Sequence, residues 1–218
     1  MKSVPSPDGG IALTLDAALS GCAAGIVGMD SVLAERRAAG VRDQVAALPE
    51  MAEAVLSQAG IMPAQLAMVV VTIGPGSFTG IRAALSLAHG IALAAHLPLV
   101  GVTVGEALVV PGGKRLQWAA VDTRRGRVFL ERDADVATVA LDALPAPSGP
   151  VSVAGDAAIA VASRLAARGA DVLLLPARMP TPAGVAAAAR RRISAGPDPR
   201  PVQPLYVDPP EARPATPV

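Results

Sequence analysis

One segment constrains the fold of this chain more than any other: an apolar strand, a glycine-rich turn and an uncharged helix follow one another directly. Residues 67–73 form a continuous apolar run with many β-branched side chains, which is typical of a central strand covered on both faces. The glycine-rich stretch 74–80 follows, then a predicted helix to about residue 96 and a strand over 99–102. This order of elements predicts an α/β lobe.

The glycine-rich turn has two interpretations. A strand that enters a helix through glycines directs backbone N–H groups and the helix dipole at one point, which suits an anion. Gly74 and Gly76 allow backbone angles or close approaches that a side chain would forbid, and Ser77 or Thr79 could cap the helix. Gly80 is not followed by Lys, which excludes a Walker A loop, and the glycine spacing departs from the dinucleotide fingerprint. The alternative is a capped turn that packs tightly on its neighbours, and the sequence leaves both open.

The chain has one uncharged stretch long enough to require a membrane check, from Ala83 to Gly105. Pro98 would break a helix there, and residues 99–102 have the pattern of a strand. We therefore expect a buried helix followed by a strand, with no membrane partner. The first residues of the chain contain no apolar run, so we expect no secretory signal and a cytoplasmic location.

The two halves of the sequence repeat one order of elements, hairpin strands followed by alternating helices and strands. In the first half, strands are predicted at 11–15, 22–27 and 31–37, a hairpin turn at 28–30, and a helix over 43–59 that Pro49 should kink or restart. In the second half, strands are predicted at 117–122, 127–131, 151–154 and 172–175, and helices at 156–167 and 182–193. We therefore predict two similar α/β lobes with mixed sheets, over residues 1–110 and 111–195, and a Pro-rich tail over 196–218 that wraps the surface or is partly disordered.

Composition excludes several classes of function. The net charge is +1, so the electrostatic footprint of a nucleic-acid or anionic-membrane binder is absent. Only four aromatic residues are present, which is a poor supply of stacking platforms for bases. The single cysteine, Cys22, excludes an internal disulfide and a cysteine-based metal cluster.

Several stretches of the chain resemble the TsaB (YeaZ) family, which acts in the synthesis of threonylcarbamoyladenosine in bacterial tRNA. The most specific is the strand, glycine turn and helix start of residues 70–82. Residues 96–103 with 106–108 are similar to the family's "lgiPlvgVssleAL", residues 119–126 to its "aaiDArrGevY", and residues 203–206 to its "PlYlR". The matches come in the family's order and extend over nearly the whole chain.

This resemblance implies a fold, a role and partners. The fold would be the two-lobed actin-like or Hsp70-like fold (ASKHA, ribonuclease H-like), and the first lobe would bind partners. The role would be that of a non-catalytic scaffold for TsaD, which transfers the threonylcarbamoyl group to adenosine 37 of tRNAs that read codons starting with A. TsaD and the ATPase TsaE would be protein partners, a homodimer would form when the chain is alone, and tRNA would be contacted only through the complex. Two alternatives stay open: an ATP-binding enzyme that uses the 74–80 loop, and a peptidase.

The sequence offers a tentative cleft for a nucleotide or anion. Asp16 ends the first strand and Asp122 the matching strand of the second half, so the two carboxylates could meet, although a capping or hairpin role is the alternative. We expect no cofactor in the isolated chain, whereas ATP or ADP with Mg²⁺ is possible in the complex. The tentative site comprises Asp16, Gly74, Gly76, Ser77, Thr79, Gly80 and Asp122.

The histidines argue against a catalytic metal. The catalytic relative holds its metal through histidines spaced H-x-x-x-H, whereas His89 and His96 are seven residues apart. That spacing corresponds to about 10 Å of helix rise, too far for two imidazoles to bind one ion. We therefore expect no catalytic residue and no metal ligand in this chain.

Three positions depart from the family's pattern. Ala17 follows Asp16 where the family has a hydroxyl residue. Arg127 stands where the family usually has Glu, and Asp208 where it usually has Arg. These departures put in doubt any fixed function at those positions.

The uncharged helix also predicts a protein interface. It has no charged residue after Arg82, so one side can face its sheet while another needs a second helix, such as 43–59, or a partner. In the resembled family these two helices bind TsaD or a second TsaB. Either Leu87→Glu or Val55→Arg should then abolish dimerisation and leave the fold intact; the alternative is that these positions are core. The predicted interface comprises Met51, Val55, Ala83, Leu87 and Ile91.

Overall fold

The first of two five-stranded sheets is built from the first half of the chain. The structure, a computed structural model, describes residues 10–29, 31–40, 44–108, 113–132, 135–196 and 201–208. The strand order is β3-β2-β1-β4-β5, with β1, β4 and β5 parallel and β2 and β3 antiparallel. The strands are β1 (Ala12–Asp16), β2 (Gly21–Val27), β3 (Val32–Ala39), β4 (Met68–Gly74) and β5 (Leu99–Thr103).

The second sheet repeats this topology. Its order is β10-β9-β6-β7-β8, again with three parallel strands followed by two antiparallel ones. The predicted pair of similar α/β lobes with mixed sheets is therefore confirmed. The strands are β6 (Leu116–Asp122), β7 (Arg127–Arg132), β8 (Asp135–Ala140), β9 (Val151–Ala154) and β10 (Val172–Leu174).

Helices cover both faces of the first sheet, which explains why β4 is buried along its whole length and almost wholly apolar. On one face α1 (Gln44–Ala59) packs on β2 and β3, and α2 (Phe78–Ala94) packs beside it on β4. On the other face lies α5 (Pro182–Ser194), whose Val185, Ala188 and Ala189 share a buried cluster with β1, β4 and β5. In the second lobe, α4 (Ala158–Ala167) packs on β6, β9 and β10.

The sequence-based element bounds agree closely with the structure except in four places. The strand β8, the short helix α3 (Val104–Leu108) and a 3₁₀ helix at Pro63–Gln65 were not predicted. Helix α1 continues through Pro49 without a new start, because a missing N–H there removes only a bond to residue 45, near the helix beginning.

The position of α5 bears on the predicted division of the chain. It lies within the stretch assigned to the second lobe, yet it packs on the first sheet. The hairpin turn at residue 30, the boundary at 110–111 and the chain from 209 onward lie outside the described residues. The division into lobes therefore stays a prediction, with α5 crossing back to the first sheet.

A buried carboxylate joins the lobes on the side where α3 begins. Glu131 on β7 accepts hydrogen bonds from the Thr103 hydroxyl and from the Gly105 backbone N–H, the latter at 2.9 Å. On the same helix, Glu106 accepts a hydrogen bond from the Thr103 N–H and pairs with Arg192 of α5 at 2.7 Å. Strands and helices from distant parts of the sequence are thus fixed to one short helix.

The uncharged stretch from Ala83 to Gly105 contains the expected helix and strand, in most of α2 and in β5, and ends in the first residues of the unpredicted α3. Within the described residues, no helix combines the length and the hydropathy that crossing a membrane requires.

Candidate functional site

A cleft of about 1010 Å³ separates the two lobes and is the candidate functional site. Its first wall comes from the turn after β1 and the start of α2, and its second wall from the β6–β7 hairpin. The Pro-rich segment 201–208 closes one side, anchored by a hydrogen bond from the Leu205 N–H to the Ile73 carbonyl at 2.8 Å. The lining residues are 17–22, 40, 75–78, 81–82, 122–125, 127, 129, 156 and 204–208.

Close packing accounts for the glycines of the 74–80 turn. A Cβ at Gly76 would overlap the carbonyl oxygen of Ala18, and a Cβ at Gly80 would overlap that of Ala17. At Gly74 the backbone φ of 115° favours glycine. Of the two interpretations left open by the sequence, the structure therefore favours a turn packed tightly on the end of β1.

Two of the N–H groups of this turn are used within the chain. The Ser77 N–H donates to the Ala18 carbonyl at 2.6 Å, and the Ser77 hydroxyl caps α2 by accepting from the Gly80 N–H at 3.2 Å. Ser77 is therefore the cap, and Thr79 lies exposed in the first turn of α2. Two of the donors that an anion would need are occupied by the fold itself.

Asp16 lies behind the cleft rather than on its surface. It is 2% exposed and does not line the cleft, whereas Asp122 does. Its Oδ1 accepts from the Thr72 hydroxyl at 2.5 Å and from the Ala18 N–H at 3.2 Å, while Oδ2 has no hydrogen-bond partner. Burial raises the pKa of this carboxyl to about 6, although the bonds from Thr72 and Ala18 oppose the shift.

We predict that Asp16 makes folding stability depend on pH. Its pKa is 3.8 when unperturbed and about 6 in the folded chain, so the folded state holds the proton more tightly. Stability is therefore favoured at low pH and falls as pH rises from 3.8 to about 6, by about 3 kcal/mol. Asp16→Asn lacks this ionisation, so the difference in urea unfolding free energy between the two proteins should change over that window. Parallel pH curves for the two proteins would contradict the prediction.

Asp122 has the hairpin role that the sequence gave as its alternative. Its Oδ1 accepts from the Arg124 N–H at 2.7 Å, and its own N–H donates to Asp156 Oδ1 at 2.9 Å. Burial raises the pKa of Asp156, an effect that the bond from Asp122 partly offsets. Asp156 was not singled out from the sequence, because only the fold brings it beside the hairpin.

The histidines stand apart from this cleft. His89 is exposed on α2, with Nε2 at 2.9 Å from the Val202 carbonyl, and His96 is exposed just beyond the helix. In the described ranges, no group of three or more His, Cys, Asp or Glu side chains could hold a metal ion.

The predicted interface residues fall into two classes. Val55 is 0% exposed and Met51 9% exposed, both within the core under α1. This burial speaks against the expectation that Val55→Arg would leave the fold intact, because a guanidinium there would be buried without a partner. In contrast, Ala83, Leu87 and Ile91 are half-buried on α2.

An aromatic and cationic cluster at the cleft mouth was not predicted. The Arg82 guanidinium lies 3.7 Å from the centre of the Phe78 ring, and it donates to the Tyr206 hydroxyl at 2.5 Å. Tyr206 lies 124 residues from Arg82 in sequence, so no local pattern connects them.

Two of the three departures from the family's pattern contact each other. Arg127 on β7 pairs with Asp208 of the C-terminal segment at 3.3 Å. The pair ties the C-terminal segment to the second lobe.

Comparisons with known proteins agree with this architecture. The family described as "TsaD: tRNA N6-adenosine threonylcarbamoyltransferase" matches residues 34–172. An uncharacterized protein of Mycobacterium tuberculosis is 33% identical over 217 residues, covering 93% of each chain. The Escherichia coli "tRNA threonylcarbamoyladenosine biosynthesis protein TsaB" is 32% identical over 92 residues, 40% of each chain. The solved structure "YeaZ from Pseudomonas aeruginosa" is similar with a TM-score of 0.72 at 19% identity, covering 90% of this chain and 99% of that one.

Proposed function

Because the chain belongs to the TsaB (YeaZ) family and thus has a TsaB-type role in tRNA threonylcarbamoyladenosine biosynthesis, we propose that it serves there as an accessory subunit without catalysis of its own. Its fold is the two-lobed actin-like fold of that family. The finer proposal is that it binds the TsaD of the same organism, supports TsaE, and reaches adenosine 37 of tRNA as part of that complex.

The observation that carries the proposal is the chemistry of α2. Its buried residues, such as Ile81, Leu85 and Ala88, pack on the sheet, and the helix has no charged side chain beyond Arg82. Among its remaining positions, Leu87 and Ile91 are only half-buried and lie one turn apart on the same face of the helix. A helix that leaves apolar side chains in water on a second face is suited to contact another protein.

The proposed partner surface comprises Ala83, Leu87 and Ile91 on α2. Met51 and Val55 support it from beneath, since α1 packs beside α2 and both residues belong to the same core cluster as the buried face of α2. The same surface would join two copies of the chain when TsaD is absent. Binding of ATP or ADP with Mg²⁺ by the assembled complex stays a prediction. No side chain described above supports the peptidase alternative.

We expect Leu87→Glu to weaken binding to TsaD at least about tenfold, because it places a carboxylate in an apolar contact. The fold should persist, since Leu87 is only half-buried. The measurement is affinity by calorimetry with purified TsaD of the same organism, alongside light scattering of the chain alone.

Ile159→Glu is the matched control, because Ile159 is an apolar side chain 58% exposed on α4 of the other lobe. It should leave both measurements unchanged. Equal affinities of the two variants for TsaD would overturn the proposed surface. The role itself is tested separately, by asking whether TsaD and TsaE modify tRNA only when this chain is added.

A further inference from the structure

Three of the chain's four aromatic side chains line one cleft. The sequence contains two Phe, one Tyr and one Trp, and Phe78, Phe129 and Tyr206 all border the space between the lobes. Composition alone suggested that so few rings make a poor stacking surface. The fold changes that conclusion, because it gathers these scattered rings at one place.

The rings at the cleft mouth are accessible and held in position. Phe78 is 59% exposed and Tyr206 58% exposed. Arg82 fixes both, through its stacking on Phe78 and its hydrogen bonds to the Tyr206 hydroxyl. Arginine and aromatic planes arranged in this way are the groups on which unpaired bases stack.

The opposite wall supplies positive charge. Arg124, Arg125 and Arg127 follow one another around the β6–β7 hairpin and line the cleft with Arg82. The carboxylates that line it are Asp122, Asp156 and Asp208.

Each of these three carboxylates already has a partner in the chain. Asp122 and Asp156 accept backbone N–H groups, and Asp208 pairs with Arg127. The side chain of Arg124 is exposed, next to these acids, at the tip of the hairpin. Guanidinium groups in such a place can contact phosphates while the rings hold the bases.

We propose that this cleft mouth binds an unpaired stretch of RNA, with bases stacking on Phe78 and Tyr206 and a phosphate meeting Arg124 at the tip of the hairpin. The inference rests on the proposed function, which makes RNA the substrate of the complex. It adds that this subunit contacts the RNA directly, whereas the sequence predicted contact only through the complex.

A free nucleoside triphosphate suits the cleft less well. Its phosphates would need a cradle of backbone donors, yet the Ser77 N–H donates to the Ala18 carbonyl and the Gly80 N–H to the Ser77 hydroxyl. A duplex also fits poorly, since its bases are stacked within the helix and cannot reach the rings. Single-stranded RNA is therefore the occupant that the groups of this cleft favour.

The test measures anisotropy of a fluorescein-labelled single-stranded RNA of about twelve nucleotides, a length in the range that single-strand sites cover. Titration of the full chain at about 50 mM and about 200 mM salt gives the affinity and its salt slope. Tyr206→Ala should weaken binding about tenfold, whereas Tyr206→Phe, which keeps the ring, should not. Arg124→Gln should reduce the salt slope by about 0.7, and the exposed Arg164→Gln on α4 should change nothing.

Several results would overturn the inference. They are the absence of binding by the parent chain at low salt, equal binding of the same RNA in a duplex, or equal effects of Arg124→Gln and Arg164→Gln. Displacement of the RNA by ATP at a similar concentration would assign the cleft to a free nucleotide instead. The tRNA modification assay is an independent measurement. If modification requires this chain but the chain itself binds no RNA, this inference is wrong and the proposed function still holds.

Discussion

Val55→Arg is expected to unfold the chain. Val55 is 0% exposed on α1, within the core cluster shared by α1, α2 and the first sheet. A guanidinium there would lose its water without gaining a partner, at a cost of several kcal/mol. Since domains of this kind are stable by about 5–15 kcal/mol, most or all of the folding free energy would be lost. Circular dichroism and thermal melting of the purified variant, or its appearance only in the insoluble fraction, would measure this.

Gln58→Arg is the matched control, because Gln58 is exposed on the same helix. It introduces the same side chain and should melt as the parent does. A folded Val55→Arg protein with the melting temperature of the parent would show that Val55 is not covered within one chain. In that case Val55 would be assigned to the partner surface instead of the core.

Gly80→Ala and Gly90→Ala are expected to change stability in opposite directions, although both glycines lie in α2. A Cβ at Gly80 would overlap the backbone carbonyl oxygen of Ala17, which belongs to the turn after β1 and cannot move without moving the strand. At Gly90 nothing lies within 4 Å of the added carbon. Gly80→Ala should therefore lower the unfolding free energy by about 3 kcal/mol. Gly90→Ala should raise it by up to about 1 kcal/mol, as alanine does in a helix.

Urea unfolding of the two variants and the parent decides this. If both substitutions stabilised the chain, the close contact between the glycine turn and β1 would be absent in solution. The glycines would then have to be explained by a ligand. Such a result would reopen the anion interpretation of the turn that the sequence left undecided.

The sequence predicted the parts of the fold that local patterns encode. The run over 67–73 became β4 (68–74) because it is almost wholly apolar and rich in β-branched side chains, and the sequence limited the helix cap to Ser77 or Thr79, of which the structure uses Ser77. β8 was missed because it is a half-buried edge strand without clear alternation, and α3 because five residues are too few for a periodic signal.

The candidate site was harder to predict, because its contacts join residues far apart in sequence. Helical periodicity placed Val55 on an apolar face, but it could not say whether the chain or a partner covers that face. The end of β1 marked Asp16 as a cleft residue, whereas the turn after it buries the carboxyl. Nothing local connects Phe78 with Tyr206; both contact Arg82, and Tyr206 reaches it through the path of segment 201–208.

The ion pair between Arg127 and Asp208 limits how this chain can be recombined with related chains. Where a relative has an arginine in place of Asp208, a chimera that carried only its C-terminal segment would set that arginine against Arg127. Where a relative has a glutamate in place of Arg127, a chimera that carried only its β7 would set that glutamate against Asp208. Either exchange replaces an attraction with a repulsion at the closing side of the cleft, so the segment and the strand should be exchanged together, although 81 residues separate the paired side chains.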